Sequence, residues 1–516
     1  MALADINNDG LLDVYLCGNQ VDNKLFLNKG NLTFEDITNK AGVGCPNVWS
    51  TGVSMADVNG DGLIDIYVCK SGLDIGDNRN NELFINNGNL TFTEMASQYG
   101  IADRGLSNHA AFFDYDKDGD LDMYLLNNSM RSIGVNDLIE GQRTLRDPQG
   151  GNKLYRNDGD VFTDVSEASG IYGSAIGFGL GVTVADLNKD GWQDIFVSND
   201  FFERDYLYIN QADGTFTESI ESHLHEISMG SMGADIADIN NDGYPEIYVT
   251  DMLPEDDARI KSKTQFENWD KYALNVKKGY HRQFTRNVLQ LNHGPAPSHT
   301  TESGVAFSEI SRFAGVHATD WSWGALIMDV NNDGYKDIFV ANGIYKDVTD
   351  QDYINYYANN SAFIAQGKKD SLLLTRLIDA IPSNPIANYI FKNNGDLTFS
   401  NKSTEWGLDH KLFSNGAAYG DLDNDGDLDL VINNINADAL LLKNNSDQLD
   451  GGNFLSLELK GIGKNPFALG TQVTLYADEE VFYQEQNPVK GYLSSCLLYT
   501  SPSPRDLSTS RMPSSA

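Results

Sequence analysis

Short apolar runs alternate with polar clusters along this chain, at a strand-like rather than a helical period. Runs such as Val14-Tyr15-Leu16, Ile66-Tyr67-Val68, Ile195-Phe196-Val197, Ile247-Tyr248-Val249, Ile338-Phe339-Val340 and Leu430-Val431-Ile432 are rich in β-branched and aromatic residues. Each follows a cluster of Asp, Asn and Gly, which predicts strands bounded by turns. A second phrase lies between these units: apolar residues, an Asn/Gly turn, then Phe. It spans Leu25 to Phe34, Leu83 to Phe92, Leu154 to Phe162, Leu207 to Phe216 and Ile390 to Phe399, and it predicts a hairpin. One strand into each polar cluster, one out of it, and one hairpin make a four-stranded sheet per unit.

The polar clusters are themselves a repeat. A nine-residue segment begins at Asp5, Asp57, Asp114, Asp186, Asp238, Asp329 and Asp421, so successive copies lie 52, 57, 72, 52, 91 and 92 residues apart. Its sixth position is Gly in every copy: Gly10, Gly62, Gly119, Gly191, Gly243, Gly334 and Gly426. A unit of about 50 residues carrying insertions predicts an all-β, seven-bladed propeller. Five residues before most copies stands another Gly (Gly52, Gly181, Gly233, Gly324, Gly416), with His109 in that place before the third. A recurrent strand Gly predicts close approach of neighbouring backbones.

Within the segment, positions 1, 3, 5 and 9 are always Asp, Asn or Glu. The candidate ligands are Asp5, Asn7, Asp9 and Asp13; Asp57, Asn59, Asp61 and Asp65; Asp114, Asp116, Asp118 and Asp122; Asp186, Asn188, Asp190 and Asp194; Asp238, Asn240, Asp242 and Glu246; Asp329, Asn331, Asp333 and Asp337; and Asp421, Asp423, Asp425 and Asp429. The backbone carbonyl at position 7 completes each set, from Leu11, Leu63, Asp120, Trp192, Tyr244, Tyr335 and Asp427. Alternate positions of a curled loop point inward together, and Gly at position 6 permits the turn. Ligands that are all oxygen, with no His or Cys among them, select calcium over zinc or copper. The expectation is up to seven calcium ions. An EF-hand loop starts alike but runs to Glu at position 12 between helices, whereas these loops have strands on both sides.

Composition narrows the partners. A formal net charge of -37 argues against unaided binding to nucleic acid or anionic membrane. There is no membrane-spanning run and no signal peptide. Met1-Ala2-Leu3-Ala4 runs straight into the first loop, which predicts that the strand preceding every later loop is missing there and that the start is truncated. Cys17, Cys45, Cys69 and Cys496 form neither a zinc spacing nor a disulfide framework. Cys17 and Cys69 fall at matching strand positions.

The propeller is expected over residues 1–450, with charged and aromatic, partly helical insertions at 251–290 and 346–388; the second contains Tyr353, Tyr356, Tyr357 and the apolar run from Leu372 to Ile378. Long insertions on a rigid repeat either carry binding or cap one end. From 453 to 495, Phe454 to Leu459 and Val473 to Tyr476 predict strands of a separate small β domain, and 496–516 fits neither pattern and reads as non-native tail.

The nine-residue loops resemble FG-GAP (VCBS-type) repeats, the blade unit of integrin α propellers. A tighter resemblance is to the cartilage acidic protein and ASPIC/UnbV family, carried by Val249-Thr-Asp-Met-Leu-Pro254, Gln283-Phe-Thr-Arg-Asn287-Val-Leu-Gln-Leu-Asn292 and the 453–495 segment with Gly470. This resemblance implies a secreted or cell-surface protein with a calcium-binding propeller. It also implies that the ASPIC/UnbV domain here lacks its second half.

The function expected is an extracellular binding or adhesion module for a glycan or protein, with oligomeric state left open. The alternative is a calcium-dependent polysaccharide lyase, for which Tyr280, His281, Arg282 and Arg286 form the best acid/base cluster. Trp321, Trp323 and Tyr280 could stack on sugars or fill the propeller axis, and His223 and His225 form a weak metal pair. No Gly-x-Ser-x-Gly elbow is present.

Overall fold

The computed structural model describes residues 1–497 except 73–78, 130, 132–140, 160, 264–268, 296–304, 356–370, 447–454 and 478–479. Tyr356, Tyr357, Asn453, Phe454 and residues 498–516 therefore lie outside the described residues.

Seven antiparallel sheets follow one another along the chain as propeller blades. Blade 2 (Trp49–Ala56, Asp65–Ser71, Glu82–Asn86, Phe92–Glu94) shows the pattern, with each strand hydrogen-bonded to the next in sequence. Blades 3 to 6 repeat it, starting at Ser107–Phe113, Gly179–Ala185, Ala234–Ala237 and Ser322–Met328. Blade 7 has three strands among the described residues, Ser414–Gly420, Asp429–Asn434 and Leu440–Leu442, where the sequence predicts four. The first strands of neighbouring blades pack against one another and so surround the axis. Each sheet is apolar on both faces because each blade covers its neighbour. Tyr15, Tyr67, Tyr124, Tyr208, Tyr248, Phe112, Phe196 and Phe339 are among the largest fully buried side chains.

The expected gap at the start is corrected. Ala2–Ala4 forms a short first strand of blade 1, pairing Ala2 with Tyr15, Leu3 with Val14 and Ala4 with Asp13. Three small or apolar residues, all fully buried, suffice for that register. Blade 1 continues through Asp13–Leu16, Lys24–Asn28 and Phe34–Asp36.

The recurrent strand glycines do what their spacing predicts. A Cβ on Gly52 would come 2.3 Å from the Asn108 carbonyl oxygen; on Gly181, 2.8 Å from that of Met232; on Gly233, 2.5 Å from that of Trp323; and on Gly324, 2.9 Å from that of Asn415. Each lies at an irregularity in the register with its second strand or at the edge of that pairing, so blades touch backbone to backbone around the axis. His109 replaces the Gly in blade 3 and is buried against the Val53 carbonyl, which holds its imidazole neutral by desolvation, down to about 3.

Strand polarity assigns the two faces. The nine-residue loops join first to second strands and lie on one face. The insertions leave second strands at Val249 and Asn342 and therefore stand on the opposite face. They contain the helices Asp257–Lys263, Trp269–Lys277, Gln351–Tyr353 and Ser371–Asp379. Lys263 bonds Asp347 at 2.8 Å and also Asp350, and Arg259 lies 3.5 Å from Asp347, so the two insertions are tied together by buried and half-buried ion pairs.

The C-terminal segment forms a small β region that packs on the propeller. Gln472–Ala477 pairs with Glu480–Glu485 across the loop-bearing face. The chain then enters the axis as a hairpin, Val489–Lys490 with Ser494–Cys496, and the second of these pairs in parallel with Ala2–Ala4. Lys490 donates to Asp235 at 3.2 Å, and the Met55 amide donates to the Ser495 hydroxyl at 3.3 Å. Cys496 and Leu497, placed in the tail by sequence, are buried in this arrangement. Leu455 to Leu459 forms a single bridge at Leu457 rather than the expected strand.

Candidate metal centres

All seven loops close by the same hydrogen bonds, which explains why the same residue types recur. The position-1 carboxylate accepts from the position-6 Gly amide: Gly10 to Asp5 and Gly62 to Asp57 at 2.7 Å, Gly191 to Asp186 and Gly334 to Asp329 at 2.8 Å, Gly243 to Asp238 and Gly426 to Asp421 at 2.9 Å, and Gly119 to Asp114 at 3.1 Å. That amide can point inward only because each Gly has a positive φ, between 84° and 95°. The position-5 carboxylate accepts from the position-7 amide, as in Trp192 to Asp190 and Tyr335 to Asp333. The position-7 carbonyls of Leu11, Leu63, Asp120, Trp192, Tyr244, Tyr335 and Asp427 belong to peptide units fixed by this turn.

The position-9 carboxylate is buried deepest. Asp13, Asp65, Asp122, Asp194, Glu246, Asp337 and Asp429 have no exposed surface, and each accepts the amide of position 2, from Ile6, Val58, Tyr115, Leu187, Ile239, Val330 or Leu422. Burial pushes Asp13 up to about 7, Asp65 to about 8, Asp122 to about 9 and Asp429 to about 6, and Asp194, Glu246 and Asp337 well above the carboxylate range. A buried carboxylate is stabilised by a cation or must hold a proton.

Sequence reasoning missed two further sets of residues. The first is an Asn at the end of each third strand. Asn28, Asn86, Asn157, Asn210, Asn292, Asn393 and Asn444 each give their backbone amide to the position-9 carboxylate. Six of their side-chain amides also bridge two blades: Asn86 donates to Ile64 O of its own loop at 3.0 Å and to Ile6 O of the previous loop at 2.8 Å, and Asn28 closes the ring by reaching Leu422 O of blade 7 at 2.8 Å. The signal was the invariant Asn in the hairpin phrase. The second set is position 4, where Asn8, Lys117, Lys189, Asn241, Asn332 and Asn424 all have positive φ and Gly60 stands in loop 2. Asn8 donates to Gly62 O, Asn241 to Gly334 O and Asn424 to Gly10 O, each in the next loop.

The donor set fits a hard divalent cation. In loops 3 and 7 the carboxylate oxygens of Asp114, Asp116 and Asp122, and of Asp421, Asp423 and Asp429, converge within 4.8 Å of one another. Asp114 Oδ1, Asp116 Oδ1 and Asp423 Oδ1 are buried with no hydrogen-bond donor. Orphaned anionic oxygens facing one another ask for a cation rather than water alone. In the other five loops position 3 is Asn, whose Nδ2 donates to position 5, as from Asn7 to Asp9 and Asn59 to Asp61 at 3.0 Å.

The alternative sites do not assemble. Tyr280 is buried beside the Arg143 guanidinium, His281 faces the Leu224 carbonyl at 2.7 Å, and Arg286 is held by Glu226 and Glu309. His223 is buried and His225 exposed, so they do not form one site. Trp321, Trp323 and Tyr492 pack on one another at the tip of the axial hairpin, with ring centroids 6.2 and 5.0 Å apart. No helix among the described residues is long and apolar enough to cross a membrane.

Comparison with known proteins agrees with this architecture. The FG-GAP-like repeat model matches residues 5–68, 73–125, 134–197, 186–249 and 367–432, and the ASPIC and UnbV model matches 461–497. Cartilage acidic protein 1 of Xenopus tropicalis is 30% identical over 203 residues, covering 39% of this chain and 28% of that protein. Integrin alpha-3 of Mus musculus is 34% identical over 119 residues, covering 19% of this chain and 11% of that protein. The chain thus spans less than a third of the length of either relative. A solved structure of the V. cholerae biofilm matrix protein Bap1 aligns over 96% of this chain and 94% of its own, at 10% identity and a TM-score of 0.37, too low to bear on function.

Proposed function

The chain belongs to the FG-GAP-like repeat family, with an ASPIC and UnbV segment at its C-terminal side, and from that premise we propose that it is an extracellular, calcium-stiffened binding or adhesion propeller. The observation that carries this reading is the sevenfold recurrence of one closed loop with a buried carboxylate at its base. Calcium would be held by positions 1, 3, 5 and 9 and the position-7 carbonyl. Bound there, it would supply the positive charge that the buried carboxylates lack and hold each loop to its blade. The chain's own residues do the rest: the Gly at position 6 turns the loop, and the hairpin Asn holds the position-9 carboxylate and the adjacent blade.

The partner is a glycan or a protein, met on the face that bears the insertions, since the C-terminal segment occupies part of the loop face. The reading is one of binding rather than turnover: the matches are to integrin α chains and cartilage acidic protein 1, and Tyr280, His281 and Arg286 of the lyase cluster are engaged by neighbouring protein groups. Calcium titration of the purified chain tests the ion sites, with saturable uptake of several ions supporting them and no uptake at millimolar calcium overturning them. Retention on polysaccharide and protein panels, in calcium and in chelator, tests the module. New unsaturated ends in the polysaccharide tubes would contradict the binding reading.

A further inference from the structure

The residue directly before the bridging Asn of each blade lies beside that blade's own loop. It is Leu27, Ile85, Ile209 and Leu291 in blades 1, 2, 4 and 5, but Arg156, Lys392 and Lys443 in blades 3, 6 and 7. The three basic side chains behave differently. Lys443 Nζ bridges the loop-7 carboxylates at positions 3 and 5, touching Asp423 and lying 2.8 Å from Asp425. Lys392 Nζ lies 3.0 Å from Asp333, position 5 of loop 6. Arg156 pairs with Asp158 at 2.9 Å and forms no ion pair with a loop-3 carboxylate, although its charge is felt at Asp116.

The geometry points to two affinity classes among the loops, in which Lys443 and Lys392 are tethered counter-cations that weaken divalent-ion binding in loops 7 and 6. This rests on the calcium reading of the loops and adds to it a ranking that the repeat alone does not give. Loops 3 and 7 have the same ligand chemistry, five Asp residues each, so on carboxylates alone they would be the tightest pair. An ammonium fixed on the carboxylates of loop 7 satisfies part of their charge before any ion arrives. It also repels the ion once bound: a monovalent and a divalent charge about 5 Å apart in a water-like dielectric cost roughly a factor of ten in affinity. Loop 3 has no lysine at the matching position of its third strand, and the ammonium of Lys464 in the C-terminal segment is 3.7 Å from Asp120 at position 7.

The placement of the weakened loops matters. Blades 6 and 7 lie on one side of the seam where blade 7 meets blade 1, and blade 7 is the blade with three described strands. Asn332 donates to Asp427 at 2.7 Å and Asn424 to Gly10 O at 3.1 Å, so loops 6, 7 and 1 are linked in series across that seam. As calcium falls, the ions at the seam leave first, and the ring loosens where it closes.

The test is a calcium-binding isotherm of the full chain by equilibrium dialysis against buffered calcium. The wild type is expected to fill in two classes. Lys443→Met moves one ion into the tight class with about a tenfold gain at that site, Lys392→Met does the same for another, and Lys443→Arg restores the wild-type isotherm. Lys443 is about a third exposed, so its removal does not threaten folding. Isotherms for Lys443→Met and wild type that superimpose, with ions still bound, would overturn this inference and leave the calcium reading standing. Absence of calcium binding in every variant would remove the calcium reading itself.

Discussion

Asp205 stands where other blades carry Asn23, Asn81, Asn152, Asn287 and Asn388. Like them it accepts a backbone amide from its second strand, here Asn199 at 2.8 Å. Unlike them it is a carboxylate, fully buried, with Asp251 and Glu203 nearby, and desolvation pushes it up to about 8. Its folded value lies above its unfolded value, so its contribution to stability is complete below about pH 4 and is lost as pH rises toward 8. Asp205→Asn should remove that loss, with an advantage over wild type growing by up to about 1.4 kcal/mol per pH unit in that window. Chemical denaturation at pH 5 and pH 8 checks this; equal gains at both would contradict it. The bridging Asn residues make a second prediction at this scale. Asn86→Ala leaves two buried carbonyls in adjacent blades unpaired and should cost about 2–4 kcal/mol, whereas Asn87→Ala, one residue along in the exposed turn, should cost well under 1 kcal/mol. The loop carboxylates were legible in sequence because their spacing is their whole signal. The Asn bridges were not, because an Asn beside a Gly reads first as a turn residue.

The strand glycines belong to the scale of elements. Gly233 lies 2.5 Å, at an added Cβ, from the Trp323 carbonyl and 3.1 Å from Gly491 in the axial hairpin. Both obstacles are backbone, so Gly233→Ala must push blades apart and should cost about 2 kcal/mol or more; a melting temperature within 1 °C of wild type would show that the blades are looser than this packing. Such crowding was legible from a Gly recurring five residues before five of the seven loops. The strands were legible for a similar reason, since apolar runs such as Ile247-Tyr248-Val249 recur at a fixed offset from the loops. The C-terminal segment was harder to place. Val473 to Tyr476 reads as a strand, and it is one, but nothing local reveals that Gln472 donates to Asp186 at 2.7 Å or that Glu485 accepts the Asp186 amide at 3.0 Å. These contacts join residues almost 300 positions apart, and no periodicity encodes them. The one-turn helices that follow the outer strands, such as Thr38–Ala41 and Ala96–Tyr99, each ended by a left-handed Gly, were likewise hidden, four residues being too short to show a helical period.

At the scale of the molecule, the chain is a ring whose loop face gathers seven sets of buried carboxylates under a formal charge of -37. The C-terminal segment lies across part of that face and reaches into the axis. Loop 4 is where the two meet: burial holds Glu485 up to about 7, beside Asp186. Cations in the loops would relieve repulsion within each loop and between loop and cover at once, so ring, cover and ions should melt as one unit. The most direct measurement is thermal unfolding of the full chain in millimolar calcium and then in chelator. A single cooperative transition whose midpoint rises in calcium by at least about 5 °C, as several filled sites would give, is the predicted result. Cooperative transitions at the same midpoint in both conditions would contradict the account, since the buried carboxylates would then be stable without the ions assigned to them.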